Sequence, residues 1–246
     1  MKSVILIPAR YQSSRFPGKP LVPLLGKPMV LWVAELSAQA MGREAVYVAT
    51  EDERIAQVVK EAGFNAVMTS DRALTGTDRL AEAAAQIEAD IYINVQGDEP
   101  VLNPADILKV LEAKKAHPNE VINGYCPVGE AEDPHSVNLP KVIFNASGRM
   151  IYMSRLALPG FKEAKNAPAT YYKQVCIYAF SKEELLAYGR YGRKSAIEQC
   201  EDIEILRFME WNQPVRMVET SGGSLAVDVP EDVPGVEAAL RRIHGL

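Results

Sequence analysis

Apolar positions in the first half of the chain follow two alternating patterns, short continuous runs and stripes at helical spacing. The run at residues 4–7 reads as a buried strand, and a polar loop rich in glycine and proline follows from 9 to 27. Pro28 then suits the first residue of a helix whose Met29, Trp32, Val33, Leu36 and Ala40 fall on one face. The same reading predicts strands at 45–49, 66–69 and 90–95. It predicts helices at 52–62, from about Thr77 with Leu80, Ala83, Ala84 and Ile87 on one side, and at 104–115. Strands alternating with helices in this way predict an α/β fold, a mostly parallel sheet covered on both faces.

Beyond about residue 120 the rhythm changes. Runs at 121–127, 141–144, 150–154 and 175–180 read as strands without regular helices between them. Asn145-Ala146-Ser147-Gly148 is turn chemistry and predicts a hairpin. Residues 160–170 are loop-like, helical character returns at 197–211 and 231–243, and a strand is expected near 215–219. There is no internal repeat, low-complexity tract or linker. The economical organisation is one α/β domain over 1–246 with a β-rich lobe inserted at about 130–180. That lobe could cover a substrate or form a dimer contact.

At 246 residues, 48% hydrophobic and 24% charged, the chain has the composition of a folded protein with one substantial core. No apolar run approaches the length of a membrane span, and the first run is too short for a signal peptide. The three cysteines, Cys126, Cys176 and Cys200, are scattered and odd in number, so neither a disulfide framework nor a metal-ligand spacing follows. A reducing cytoplasm is the expected setting. The net charge of −5 argues against a nucleic-acid binder, yet leaves room for a local basic pocket and an anionic small substrate.

Such a pocket is foreshadowed after the first run, where Arg10, Arg15 and Lys19 stand with Ser13, Ser14 and Gly18. Ligands bind at the carboxyl ends of strands in open α/β sheets, and arginine forks and lysine point charges suit phosphate. The plain alternative is a solvated basic loop. Gly26-Lys27-Pro28 lacks the Walker pattern, and no Gly-x-Gly-x-x-Gly follows the first strand. Asp98, after another predicted strand, and Asp228, after a short apolar run, could hold one magnesium ion between them. Their plain readings are a turn residue and a helix-start residue. Glu99, Glu231 and Asp232 read as helix-terminus or surface acids, and His117, His135 and His244 as surface histidines.

In combination these stretches resemble the 3-deoxy-manno-octulosonate cytidylyltransferases. The resemblance rests on Ile7-Pro8-Ala9-Arg10, on 15–21 (Arg-Phe-Pro-Gly-Lys-Pro-Leu), Gly26-Lys27-Pro28-Met29, Val48-Ala49-Thr50 and Met68-Thr69-Ser70. It continues through 76–82 (Gly-Thr-Asp-Arg-Leu-Ala-Glu), 94–100 (Asn-Val-Gln-Gly-Asp-Glu-Pro), Pro140-Lys141-Val142, Tyr152-Met153-Ser154-Arg155 and 227–232 (Val-Asp-Val-Pro-Glu-Asp). It runs nearly end to end, in order and with similar spacing. It implies a Rossmann-like, glycosyltransferase-A-like nucleotidyltransferase that couples CTP to a 2-keto-3-deoxy sugar acid, with loss of pyrophosphate, in lipopolysaccharide biosynthesis. Arg10, Arg15 and Lys19, with Ser13, would grip the triphosphate. Backbone at Pro8-Ala9 and Thr75-Gly76-Thr77 would read the cytosine. Asp98 and Asp228 would hold Mg2+, and Arg10, Lys19, Asp98 and Asp228 would form the catalytic set.

Arg79, Gln96, Gln174, Tyr178 and Glu204 would contact the sugar acid, and a homodimer is expected. Two departures fall near the sugar. Gln174-Val175-Cys176-Ile177-Tyr178 stands where the family has His-Leu-Gly-Ile-Tyr, and Glu204-Ile205-Leu206-Arg207 where it has Glu-Gln-Leu-Arg. Changed hydrogen bonding there leaves the sugar open between the octulosonate, its 8-amino variant and a nine-carbon ulosonate. A non-catalytic sugar-nucleotide sensor is the competing class.

Overall fold

The computed structural model describes residues 1–12, 16–130 and 132–245. In chain order its strands are β1 (Ser3–Pro8), β2 (Pro23–Leu24), β3 (Lys27–Pro28), β4 (Val46–Thr50), β5 (Asn65–Met68), β6 (Ile91–Val95), β7 (Val121–Pro127), β8 (Lys141–Phe144), β9 (Met150–Ser154), β10 (Tyr172–Ser181) and β11 (Val215–Glu219). Its helices are α1 (Met29–Met41), α2 (Glu53–Glu61), α3 (Gly76–Ala84), α4 (Pro104–Ala116), α5 (Lys182–Tyr191), α6 (Ala196–Glu201), α7 (Leu206–Glu210) and α8 (Val233–His244).

The main sheet runs β11-β7-β10-β6-β1-β4-β5. β1 pairs parallel with both β4 and β6, β4 with β5 and β7 with β11, whereas β10 lies antiparallel between β6 and β7. β1 is buried on both faces, which is why its sequence is a continuous apolar run rather than an alternation. Ile5 and Ile7 pack with α1, α2 and α4 on one face, and Val4 and Leu6 pack with α3, α5 and α7 on the other. A third, smaller cluster joins Leu24, Met29 and Trp32 to Val227, Val236 and Leu240 of the C-terminal segment.

Four sequence expectations change. The predicted helix at 197–211 is two short helices, broken at Asp202, which takes the left-handed conformation with φ 50°. α5 was not expected at all, yet Ser181 opens it with a capping box, its side chain accepting from the Glu184 N–H while Glu184 accepts from the Ser181 N–H. The β-rich stretch is divided, because β7 and most of β10 belong to the main sheet. β8 and β9 branch from its main path, pairing with each other and joining β10 through Lys141 and Lys173. Pro28, for its part, caps α1 rather than opening its first turn.

Candidate active site

From β1 the chain passes outward to β4 and β5, then returns to β6 on the other side of β1, so the two neighbouring carboxyl ends diverge. A crevice opens at such a switch point. The loop after β6 approaches β1 so closely that a Cβ on Gly97 would lie 2.6 Å from the Pro8 carbonyl oxygen, and only glycine fits. The loop after β1 is pinned from several sides. The Ala9 N–H donates to Ala49 O at 2.9 Å, the Tyr11 N–H to Glu51 Oε1 at 2.8 Å, and the Gly18 N–H back to Tyr11 O at 2.9 Å. Gly18 takes φ 71°, so its role is this left-handed turn as well as close approach. The Arg54 guanidinium stacks 3.4 Å from the Tyr11 ring. Arg10 is exposed and lines the crevice, while Ser13 and Arg15 lie outside the described residues.

Lys19 leaves this loop toward the two acids. Its Nζ stands 2.6 Å from Asp98 Oδ2 and 3.6 Å from Asp228 Oδ1, so carboxylates from opposite ends of the sequence share one ammonium. Their segments are joined directly. The Val227 N–H donates to Asp98 O at 2.9 Å, and Ser224 Oγ donates to Glu99 Oε2 at 2.6 Å. Val227 is fully buried in the third cluster, which anchors Asp228 with about 1.5–3 kcal/mol of apolar burial. Asp232 accepts from the N–H groups of Asp228 and Val229 and fixes the turn. Burial pushes the Glu99 carboxyl up to about 7, against the opposing hydrogen bond from Ser224.

Among the described residues no group of three or more histidines, cysteines and acids could hold a metal. What stands ready is a pair of partly exposed carboxylates, which fits a cation that takes one or two carboxylates and completes its shell with phosphate and water.

Both acids face a cleft of about 350 Å³, lined by the loops after β1 and β6 and, across from them, by the start of α3 and residues 194–204. Thr75 caps α3, and the Glu204 carboxylate sits on the same helix end. Glu204 accepts from the Gly76 N–H at 3.0 Å, the Thr77 N–H at 2.9 Å and Thr77 Oγ1 at 2.5 Å. Burial raises its pKa, with those bonds opposing. The backbone donors expected to read a base at Gly76, Thr77 and Ala9 are therefore already engaged within the fold. Glu204 itself lines the cleft as expected, but both its oxygens are occupied as an internal helix cap.

Arg79 and Gln96 also line the cleft. Arg79 is 4% exposed, its Nη1 lying 3.0 Å from Glu51 Oε2, 2.5 Å from Thr69 Oγ1 and 3.3 Å from Ser70 O. Burial lowers its pKa, partly offset by Glu51. Gln174 and Tyr178 do not line the cleft. The Gln174 amide donates to Asn123 Oδ1 and to the Tyr178 hydroxyl, and burial holds Tyr178 well above the usual phenol range. They form a polar cluster within the sheet, because β10 is enclosed between β6 and β7.

Several cleft residues carried no signal in the sequence reading. Lys194, Glu198 and Asp202 all line it. Beneath them Arg207, fully buried, donates to Glu198 through Nε and Nη2 at 2.7 Å each, and to Asp78 at 2.7 and 3.2 Å. The Tyr188 ring lies 3.7 Å from its guanidinium.

A family model described as Cytidylyltransferase matches residues 4–216. The 3-deoxy-manno-octulosonate cytidylyltransferase of Geobacter metallireducens is 40% identical, over 99% of this chain and 100% of that protein. The 8-amino-3,8-dideoxy-manno-octulosonate cytidylyltransferase of Shewanella oneidensis is 38% identical, over 98% of this chain and 99% of its own length. A solved CMP:2-keto-3-deoxy-manno-octonic acid synthetase, complexed with CTP, superposes with a TM-score of 0.91 at 38% identity, covering 99% of this chain and 100% of that one.

Proposed function

The chain belongs to the cytidylyltransferase family, and from that premise we propose that it couples CTP to a 3-deoxy-octulosonate, releasing pyrophosphate, for lipopolysaccharide biosynthesis. The observation that carries the proposal is the meeting of Lys19, from the first loop, with Asp98 and Asp228 at the mouth of one cleft. The anomeric hydroxyl of the sugar acid attacks the α-phosphorus in line. The new O–P bond forms as the bond to pyrophosphate breaks, and the hydroxyl proton leaves to solvent. Arg10 and Lys19 hold the departing pyrophosphate, because fixed cations stabilise charge that develops on it. Gln96 and Arg79, in the cleft wall, orient the sugar acid.

Asp98 and Asp228 would hold magnesium, which supplies polarisation of the α-phosphate and a lowered pKa for a bound hydroxyl. Two hard oxygen donors beside a triphosphate site fit that ion. Lys19, which pairs both acids, would be free to hold the phosphates once that ion took its place between them. The relatives named above act on the octulosonate and on its 8-amino variant, so both belong in any substrate panel.

We further infer a homodimer formed through the segment that leaves the main sheet, where Val137, Ile151, Leu156 and Phe161 are exposed. No helix among the described residues is long and apolar enough to cross a membrane, and the three cysteines are free. A cytoplasmic setting accords with the free thiols. The test is pyrophosphate release from CTP with each sugar acid, comparing wild type with D98N. Wild type should turn over at least one acid, and D98N should lose at least about a hundredfold in kcat with an unchanged circular dichroism spectrum. Full activity in D98N refutes the metal-holding role. CTP binding without turnover of any acid favours the sensor instead.

A further inference from the structure

Among the described residues four cations line the cleft, Arg10, Lys19, Arg79 and Lys194. Three have a place in the reading above. Lys19 is held by two acids, Arg10 shares its loop, and Arg79 is buried against Glu51, Thr69 and Ser70. Lys194 is different in kind. It stands on the short connection between α5 and α6, with its Nζ 2.6 Å from Asp202 Oδ1. Both side chains meet solvent, at 31% and 72% exposure. An exposed pair of this sort contributes little to stability, so exchanging one carboxylate partner for another costs little.

The counter-ion is fixed where the lysine is not. Asp202 holds φ 50° and ψ 48°, and its carbonyl accepts from Arg155 Nη2 at 3.0 Å. The same guanidinium donates to the carbonyls of Glu201 and Val137, so the end of β9 clamps the turn that carries Asp202. Among the described residues, the two other glutamates that line this side of the cleft are already engaged. Glu198 is taken by Arg207 and the Ser195 N–H, and Glu204 by the end of α3. An exchange partner for Lys194 must therefore arrive from outside, as an anion in the cleft.

We infer that Lys194 receives the carboxylate of the sugar acid, and that Asp202 parks its ammonium at the cleft until that carboxylate arrives. The inference rests on the reading of the chain as a sugar-acid cytidylyltransferase. The other incoming anion, the triphosphate, has Arg10 and Lys19 beside the metal-holding acids, whereas of the cations left for the sugar carboxylate Arg79 is already engaged by Glu51, Thr69 and Ser70, and Lys194 is held only by an exposed pair.

Steady-state kinetics on the full chain, varying CTP and the sugar acid separately, tests it. K194Q should raise KM for the sugar acid about tenfold or more, the loss of one charge-assisted hydrogen bond, while KM for CTP stays within about twofold. D202N keeps the left-handed turn, since asparagine adopts it readily, and should lower KM for the sugar acid by removing the competing carboxylate. An unchanged sugar-acid KM in K194Q overturns the inference, as does a rise in KM for CTP instead, which would assign the ammonium to the triphosphate. If wild type turns over no sugar acid at all, the functional reading itself fails, an outcome visible before any variant is made.

Discussion

Replacing Arg207 with alanine should cost more stability than any surface change in this chain, and the reason is charge rather than packing. The guanidinium is 0% exposed, and its two partners, Glu198 and Asp78, have side chains 1% and 10% exposed. Burial alone would lower the arginine pKa, but the hydrogen bonds it donates to Glu198 and Asp78 more than reverse that and hold it above its ordinary value. R207A leaves two carboxylates in a dry site with no cation. Removing one partner of a buried ion pair costs about 3–5 kcal/mol, because the remaining charge is uncompensated. At this chain length that lowers Tm by about 10 °C. Equilibrium urea unfolding of wild type and R207A measures it directly. The triple variant D78N/E198Q/R207M separates charge from packing, since neutral groups of similar size carry no stranded charge. It should recover most of the loss. A cost below about 1 kcal/mol in R207A, or a triple variant as unstable as the single one, refutes the reasoning.

What the sequence made legible, and what it did not, follows from the range of the interactions involved. β1, β4 and β6 are buried on both faces, so their apolar runs announce themselves locally. Asp98 could be singled out because it follows such a run and Asp228 because it follows a short apolar stretch, which the structure leaves outside any strand, although it is Lys19 and the Val227–Asp98 bond, far apart in sequence, that help bring them together. The break between α6 and α7 has neither glycine nor proline to mark it, because an aspartate takes the left-handed turn. α5 was overlooked because its cap, Ser181, is also the last residue of β10. The Ser-Lys-Glu-Glu box was nonetheless a usable signal. Glu204 reads as a solvated helix acid until α3, far away in sequence, is folded against it. Lys194, in a polar Gly-Arg-Lys-Ser stretch, looks like any surface loop. Gln174 and Tyr178 were placed at the sugar by resemblance alone, and their position within the sheet depends on β10 running antiparallel, which no local pattern shows.

Glu120 gives a pH signature. Burial acts to raise its pKa, but hydrogen bonds from Arg216 and Arg149 outweigh that and hold the carboxyl below its ordinary value of 4.5. A depressed carboxyl contributes stability that is present above its unfolded pKa and lost as pH falls through the folded one. E120Q should therefore be less stable than wild type at neutral pH in urea unfolding, with the gap closing below about pH 4.5, and a gap independent of pH refutes this. The proposed dimer is tested through Leu156, 69% exposed, which shares the 137–161 segment with the exposed Val137, Ile151 and Phe161. A twofold interface meets itself, so one substitution places two charges in the same buried patch. L156D should shift the solution mass from two chains to one by light scattering, with unchanged circular dichroism. A wild-type mass of one chain, or a variant mass still of two, shows that these apolar side chains are not what joins the copies.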